Sequence, residues 1–177
     1  MELPWLNSVS FIDFNNGMSV GFSWDGYIIR TTDSGFNWDT VFTVDSIQFN
    51  KIVFSNSNTA FAVGDHLNNT GLIAKTTDFG NTWDTLTTSS GLFSISFPSD
   101  SIGYAVGDNG TILKTLDAGN NWIMQNSMVI NELNSVIFLN DTVGFACGDS
   151  IILKTTNGGI NWTNISIGSA SFGQYNQ

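Results

Sequence analysis

The chain has 177 residues, of which 41% are hydrophobic, 13% aromatic and only 11% charged. This composition predicts a folded globular protein and excludes the disordered and fibrous classes. Fifteen acidic residues against five basic ones give a net charge of −10, which disfavours binding to nucleic acid or to anionic membrane surfaces because these are themselves negatively charged.

Four copies of one unit follow each other along the chain. We place them at about residues 6–43, 49–88, 92–126 and 133–167, with a tail over 168–177. Each copy predicts four short strands separated by turns rich in Gly, Asn and Asp. The fourth strand of each copy begins at a Trp, and these Trp residues are 45, 39 and 40 positions apart along the chain: Trp38, Trp83, Trp122 and Trp162.

Four-stranded repeats of this period predict an all-β propeller of four blades in a single domain. A β-solenoid is the alternative, although its coils need fewer residues per turn. A closed ring of four blades would be completed from the two ends of the chain, and residues 171–175 are a candidate further strand. Otherwise we expect a partial propeller, completed by pairing between chains or forming part of a longer propeller.

The turn between the third and fourth strands repeats the pattern Thr-x-Asp-x-Gly-x-x-Trp. Its Asp can accept backbone N–H bonds, its Gly can adopt a positive φ, and its Trp can close the base of the blade. These positions are Asp33, Gly35 and Trp38; Asp78, Gly80 and Trp83; Asp117, Gly119 and Trp122; and Asn157, Gly159 and Trp162. Because Asn157 replaces the Asp of the other copies, we expect a looser turn there.

This motif resembles the Asp-box, the bacterial neuraminidase (BNR) repeat of many propellers. The string GYAVGDNGTILKT, residues 103–115, is similar to the repeat of photosystem II assembly-factor-like propellers. The resemblance covers about residues 6–165 and implies a scaffold that binds a partner. Such repeats recur in exported and cell-surface bacterial proteins, which implies an extracytoplasmic location. The assembly-factor family uses an arginine-rich patch for its partner, whereas this chain has only Arg30.

The sequence lacks the residues that the known chemistries of such folds require. A sialidase site needs several arginines and a Tyr–Glu pair, and a Ser-His-Asp site would have to use His66, the only histidine, in a polar loop. Zinc needs more His and Cys ligands, and loops such as Asp108–Gly110 lack the spaced carboxylates of a calcium site. We predict no catalytic residues, metal or cofactor; a glycoside-active enzyme using paired Asp residues is the alternative.

Four of the five basic residues occupy the same position in the repeat, directly before the box: Arg30, Lys75, Lys114 and Lys154. A rotational array would place them in one ring. That ring could bind an anion or dock a partner, or each base could neutralise nearby Asp carboxylates at a strand end. The single cysteine, Cys147, excludes an internal disulfide, and we expect it to be buried.

The loop between the second and third strands is the variable part of the repeat. From the Gly that ends the second strand to the basic residue, the separations are 9, 11, 7 and 6 residues. These loops share a face with the connections between blades, and binding sites usually lie on such a face. Trp24 could stack on a sugar ring, anchor a peptide or fold back over a blade end. The predicted site comprises Trp24, Asp25, Asp65, His66, Asn68, Asp108 and Asp149.

The leading functional hypothesis is a non-enzymatic interaction module that binds a protein or a glycan through this face. The alternative is a self-assembling structural subunit, a homo-oligomer whose terminal strands join neighbouring copies. Residues 1–14 have no cationic segment typical of a signal peptide, and no apolar run approaches the ~20 residues of a membrane span, so we expect no membrane insertion.

Overall fold

A computed structural model describes residues 5–165 as four antiparallel sheets of four strands, each sheet formed by strands in chain order. Sheet 1 contains β1 (Trp5–Phe11), β2 (Gly17–Phe22), β3 (Gly26–Thr31) and β4 (Asp39–Val44). Sheet 2 contains β5 (Ile47–Phe54), β6 (Ala60–His66), β7 (Gly71–Thr76) and β8 (Asp84–Thr88). Sheet 3 contains β9 (Leu92–Ser96), β10 (Gly103–Gly107), β11 (Ile112–Thr115) and β12 (Ile123–Gln125). Sheet 4 contains β13 (Ser135–Phe138), β14 (Gly144–Gly148), β15 (Ile151–Thr155) and β16 (Thr163–Asn164).

A short 3₁₀ turn at Asp108–Gly110 lies between β10 and β11. The four sheets, each of four antiparallel strands, confirm the prediction of four all-β propeller blades. The candidate strand at residues 171–175 lies outside the described residues. Within residues 5–165 no helix has the length and hydropathy needed to cross a membrane.

The second and third strands of sheets 2 and 3 are largely buried, because a neighbouring sheet covers each of their two faces. β10, for example, is buried at every position. The Gly that ends it pairs with the first strand at very close range: a Cβ on Gly107 would overlap the carbonyl oxygen of Gly91, and a Cβ on Gly64 would overlap that of Gln48. The repeated Gly column of the sequence follows from this close backbone approach.

Each inner sheet packs one face on the sheet before it, here called its leading face, and the other on the sheet after it, its trailing face. A leading face carries an aliphatic residue and a Phe of the first strand, one residue each of the second and third strands, and the box Trp. On the leading face of sheet 2 these residues are Ile52, Phe54, Ala62, Ala74 and Trp83. The trailing face of sheet 1 that packs on them includes Met18, Val20 and Ile28. Two further cores of this composition join sheets 2 and 3, and sheets 3 and 4.

The four sheets form an open arc, because four sheets in a closed ring would have a fourth core between sheet 4 and sheet 1. Within residues 5–165 no comparable packing joins those two sheets. Val9, on the leading face of sheet 1, is 58% exposed, whereas its counterpart Ile52 is 1% exposed. Of the two predicted architectures, the partial propeller describes the structure and the closed four-blade ring does not.

Cys147 also corrects the sequence-based expectation, because it is exposed rather than buried. It lies on β14, at the position that Val63 and Val106 occupy in sheets 2 and 3, where both side chains are fully buried. The difference arises because Cys147 is on the trailing face of the last described sheet, where no following blade covers it.

Candidate functional site

The Asp-box turns use their carboxylates to hold the hairpin between the third and fourth strands. Thr31 donates its hydroxyl to Asp33 Oδ1 at 2.9 Å and accepts the N–H of Gly35 at 2.9 Å. Asp33 Oδ1 also accepts the N–H of Asn37 at 2.9 Å, and Gly35 has a φ of +86°. Sheets 2 and 3 repeat this arrangement. The box carboxylates are thus occupied by bonds within the hairpin.

Hydrogen bonding favours the ionised form of these carboxyl groups. Bonds from the Thr82 hydroxyl and backbone lower the pKa of Asp78 to about 2. Bonds from the Asn121 side chain and backbone lower the pKa of Asp117 to about 2 as well.

The fourth box keeps the same turn despite its substitution, so the expected loosening is wrong. Asn157 Oδ1 accepts the Thr155 hydroxyl and the Asn161 N–H, both at 3.0 Å. Gly159 has a φ of +81°, close to the values at the other box glycines. The amide oxygen therefore replaces the first carboxylate oxygen, and only the acceptor role of the second is lost.

Three of the basic residues join consecutive blades through hydrogen bonds. Arg30 donates to the carbonyl oxygen of Phe79, in the box of the next blade, at 2.8 Å. Lys114 does the same to Gly158 at 2.7 Å, and Lys75 donates to the Asn120 side chain at 2.7 Å. The hydrogen-bond acceptors of these three bases are carbonyl and amide oxygens. Burial lowers the pKa of Lys114, and the negative charge of Asp141 opposes that shift, so the neutralisation of nearby carboxylates stays a prediction.

At the other edge of the arc, the loops after the second strands meet the connections between sheets; we call this edge the loop face. It comprises residues 22–26, 65–70, 107–111 and 148–150 together with 45–46, 89–91 and 126–134. The loops of the first two blades meet at Ser46. Asp25 Oδ1 accepts the Ser46 N–H at 3.3 Å, and His66 Nδ1 lies 3.1 Å from the Ser46 carbonyl oxygen.

Two candidate carboxylates, Asp65 and Asp108, lie on either side of Gly91. A Cβ on Gly91 would be 2.6 Å from Asp108 Oδ2 and 2.9 Å from Asp65 Cβ. Burial raises the pKa of Asp65, the negative charge of Asp108 raises it further, and a bond from Asn50 at 2.6 Å opposes the shift. Gly91 thus lets two acidic side chains approach each other between the second and third blades.

The remaining predicted residues are engaged locally. Asp149 Oδ2 accepts the N–H of Glu132, which ties the last loop to the connection before sheet 4. Asn68 Oδ1 accepts the hydroxyl of Thr70 at 2.7 Å and so closes its own loop. The structure places all seven predicted residues along the loop face but does not gather them into one pocket.

Exposed apolar side chains accompany these acidic groups. Trp24 is 86% exposed, so it does not fold back over the blade end. Leu67, Met128 and Ile130 are also exposed on this face, and the sequence-based prediction missed them. For Met128 and Ile130 the signal in the sequence was the length of the connection over residues 126–134, which is much longer than its counterparts at 45–46 and 89–91. Leu67 lies in the longest of the loops that follow the second strands.

Two adjoining clefts lie at the loop end of the third blade and share Asn126 as a wall. One, of about 580 Å³, lies between Ser90, Thr111 and Ser127. The other, of about 500 Å³, is lined by the connection that carries Met128 and Ile130. They provide the concave part of the loop face.

The charged residues of the loop face are acidic: Asp25, Asp45, Asp65, Asp108, Glu132 and Asp149. Four of the five basic residues lie at the box edge, and the fifth, Lys51, lies within β5. Across residues 5–165 no group of three or more His, Cys, Asp or Glu side chains is placed to hold a metal ion. The face therefore combines negative charge with exposed apolar groups.

The comparisons with known proteins agree with this architecture. A family model described as "Photosynthesis system II assembly factor YCF48" matches residues 84–174, just over half of the chain. The match to the solved structure "YCF48 bound to D1 peptide" covers 93% of this chain and 54% of the YCF48 chain, at 21% sequence identity and a TM-score of 0.73. The match to YCF48 from Cyanidioschyzon merolae covers 93% of this chain and 57% of the other chain, at 18% sequence identity and a TM-score of 0.68.

A GH74 enzyme from Niastella koreensis shares the fold over 91% of this chain and 30% of its own, at 16% identity and a TM-score of 0.68. No match was found among curated proteins. The chain spans about half the length of the two YCF48 structures and less than a third of the GH74 enzyme.

Proposed function

Since the chain belongs to the family described as photosynthesis system II assembly factor YCF48, we propose that it is a non-enzymatic module that binds a polypeptide partner through its loop face. The partner segment carries apolar side chains together with Lys or Arg. The observation that carries the proposal is the combination, on one face, of exposed apolar residues, acidic side chains and adjoining clefts.

The chemistry of the face favours a polypeptide with basic residues. The carboxylates of Asp25, Asp108 and Asp149 would attract positive charge and increase the rate of encounter. Trp24 and Ile130 provide apolar area of the kind that dominates binding energy at interfaces. Asp65 is partly buried and bonded to Asn50, so it acts on a partner mainly through its charge.

The likeness to a relative solved with a bound peptide also supports a polypeptide partner. That relative is YCF48 with a D1 peptide, and the same scaffold in this chain presents an acidic loop face. We therefore propose that the partner of this chain differs in sequence from the D1 peptide and is selected by its positive charge and its apolar side chains.

The test is selection of a displayed library of random 15-residue peptides on the immobilised full chain, followed by affinity measurement with purified peptides. Enriched peptides should contain Lys or Arg next to aromatic or aliphatic residues. Trp24→Ala and Ile130→Ala should each weaken binding by roughly tenfold or more, as expected when an interface anchor is truncated.

The chain offers matched controls on the box edge. Phe36 is as exposed as Trp24, at 86%, and Ile160 is an exposed Ile like Ile130. Phe36→Ala and Ile160→Ala should leave peptide affinity unchanged. The proposal is contradicted if no peptide is enriched, if the control variants weaken binding as much as the loop variants, or if the chain binds oligosaccharides on a glycan array and no peptide.

A further inference from the structure

The two end faces of the arc are built from the residues that form the joints between blades inside it. The leading face of sheet 1 carries Val9, Phe11, Ser19, Ile29 and Trp38. Their counterparts in sheet 4 are Val136, Phe138, Ala146, Leu153 and Trp162, all buried against sheet 3. In sheet 1 the same column of residues lines an apolar cleft of about 430 Å³ that includes Val9, Ile29 and Trp38.

The trailing face of sheet 4 is the complementary surface. It carries Phe145, Cys147 and Ile152, which correspond to Tyr104, Val106 and Ile112 in sheet 3. The residues of sheet 3 are fully buried against sheet 4, whereas Cys147 is exposed and Phe145 and Ile152 are only partly buried. Each end of the arc thus exposes one half of a blade-to-blade joint.

Every internal joint places a large trailing side chain on the box Gly of the next blade. A Cβ on Gly80 would lie 2.9 Å from Met18 Cε, and a Cβ on Gly159 would lie 3.2 Å from Tyr104 Cε1. At the free trailing face of sheet 4, Phe145 occupies the position of Tyr104 in sheet 3. At the free leading face of sheet 1, Gly35 is the box Gly that no preceding blade covers. The two groups complement each other in size.

The basic residues supply a polar contact at the same joints. Arg30 and Lys114 each donate to the carbonyl oxygen that directly precedes the box Gly of the next blade, at 2.8 and 2.7 Å. Lys154 has the equivalent position in sheet 4, where its ammonium lies 5.7 Å from the centre of the Phe145 ring. The equivalent acceptor in sheet 1 is the carbonyl oxygen of Ser34.

We propose that the trailing face of sheet 4 binds the leading face of sheet 1 on a second copy of the chain, and that two such head-to-tail joints close two arcs into one ring. Phe145 packs on Gly35 of the other copy, and Lys154 donates to the carbonyl oxygen of Ser34. A heterologous contact of this kind forms a ring when its rotation closes. The arc matches 54% and 57% of two YCF48 chains, so two arcs correspond to about one complete chain of that fold.

The test measures the mass of the full chain by light scattering at concentrations from about 1 μM to about 1 mM, the range in which such joints would associate. The wild-type chain should reach twice its monomer mass of 19.2 kDa and grow no further. Cys147 provides an independent readout, because a joint covers it. Its reaction with a thiol reagent should slow about tenfold when ~90% of the chains are in rings.

Two charge substitutions test the two faces separately. Val9→Asp and Cys147→Asp each place an unpaired carboxylate in an apolar joint, which should weaken association by about 100-fold or more. Leu116→Asp is the matched control, because Leu116 is 59% exposed, like Val9 at 58%, and lies in a box turn. It should leave the dimer intact. Circular dichroism and thermal midpoints should show that all three variants fold, since the replaced side chains are exposed in the single chain.

Mixing Val9→Asp chains with Cys147→Asp chains distinguishes a head-to-tail ring from a symmetric pairing of like faces. A mixed dimer has one joint that carries both substitutions and one joint that carries neither, so mixing should restore dimers that neither variant forms alone. The proposal is overturned if the wild-type chain stays at 19.2 kDa at every concentration or grows without limit. It is also overturned if only one of the two variants dissociates, or if the mixture remains monomeric.

Discussion

The threonine that begins each box gives the sharpest stability prediction, and Thr76→Val is the change with which to test it. Thr76 is 1% exposed; its hydroxyl donates to Asp78 Oδ1 at 2.8 Å and accepts the N–H of Gly80 at 2.8 Å. Valine keeps the shape but removes the acceptor, so the buried N–H of Gly80 loses its partner. An unsatisfied buried donor costs ~1–3 kcal/mol.

We expect Thr76→Val to lower the free energy of unfolding by about 2 kcal/mol, which for a chain of this size corresponds to about 4–8 °C in thermal midpoint. Thr77→Val is the matched control, because Thr77 is the exposed neighbour in the same turn. It should change the midpoint by less than ~1–2 °C. The measurement is thermal and urea unfolding followed by tryptophan fluorescence. Equal midpoints for the two variants would refute the claim that the box hydroxyl holds the turn.

Three further predictions concern the boxes and the glycine column. In the folded chain the pKa of Asp78 and that of Asp117 are about 2, against an ordinary value of 3.8. The stability that these carboxylates contribute is therefore fully present above pH 3.8 and is lost as the pH falls towards 2. The urea concentration at the unfolding midpoint should decrease between pH 3.8 and pH 2, and it should decrease less steeply for Asp117→Asn. Asn157→Asp restores a second acceptor oxygen beside Asn161 and should raise the thermal midpoint at pH 7 by about 1–2 °C. Calorimetry at several pH values should show that this increase disappears as the pH falls towards 2. Gly107→Ala would drive a Cβ into the carbonyl oxygen of Gly91 and should cost ~3 kcal/mol or prevent folding, as judged by circular dichroism and soluble yield.

The repeat columns predicted the blades because each column has a local or adjacent-strand cause. The box turn needs its Thr, Asp and Gly within one hairpin, and the Gly that ends a second strand is required by the strand beside it. Ring closure could not be predicted in this way. Val9 and Trp38 follow the same columns as their buried counterparts, so a periodic sequence does not reveal which blade lacks a neighbour.

The roles of the basic residues and of the loop anchors escaped sequence reasoning for a different reason. Lys114 donates to Gly158, 44 residues away, and a partner in the next repeat is not visible in a comparison of equivalent positions. Met128 and Ile130 lie in a connection that is much longer than its counterparts in the other copies, so no column aligns with them. Their exposure depends on where the 126–134 connection lies at the end of the third blade.

The central claim, polypeptide binding through the loop face, is tested most directly by hydrogen–deuterium exchange of the full chain with and without a selected peptide. We predict that the bound peptide slows exchange at residues 22–26, 66–70 and 126–131. The box turns at residues 31–38 and 155–162 should exchange as in the free chain. Protection confined to the box turns, or spread evenly over the chain, would contradict the assignment of the binding surface to the loop face.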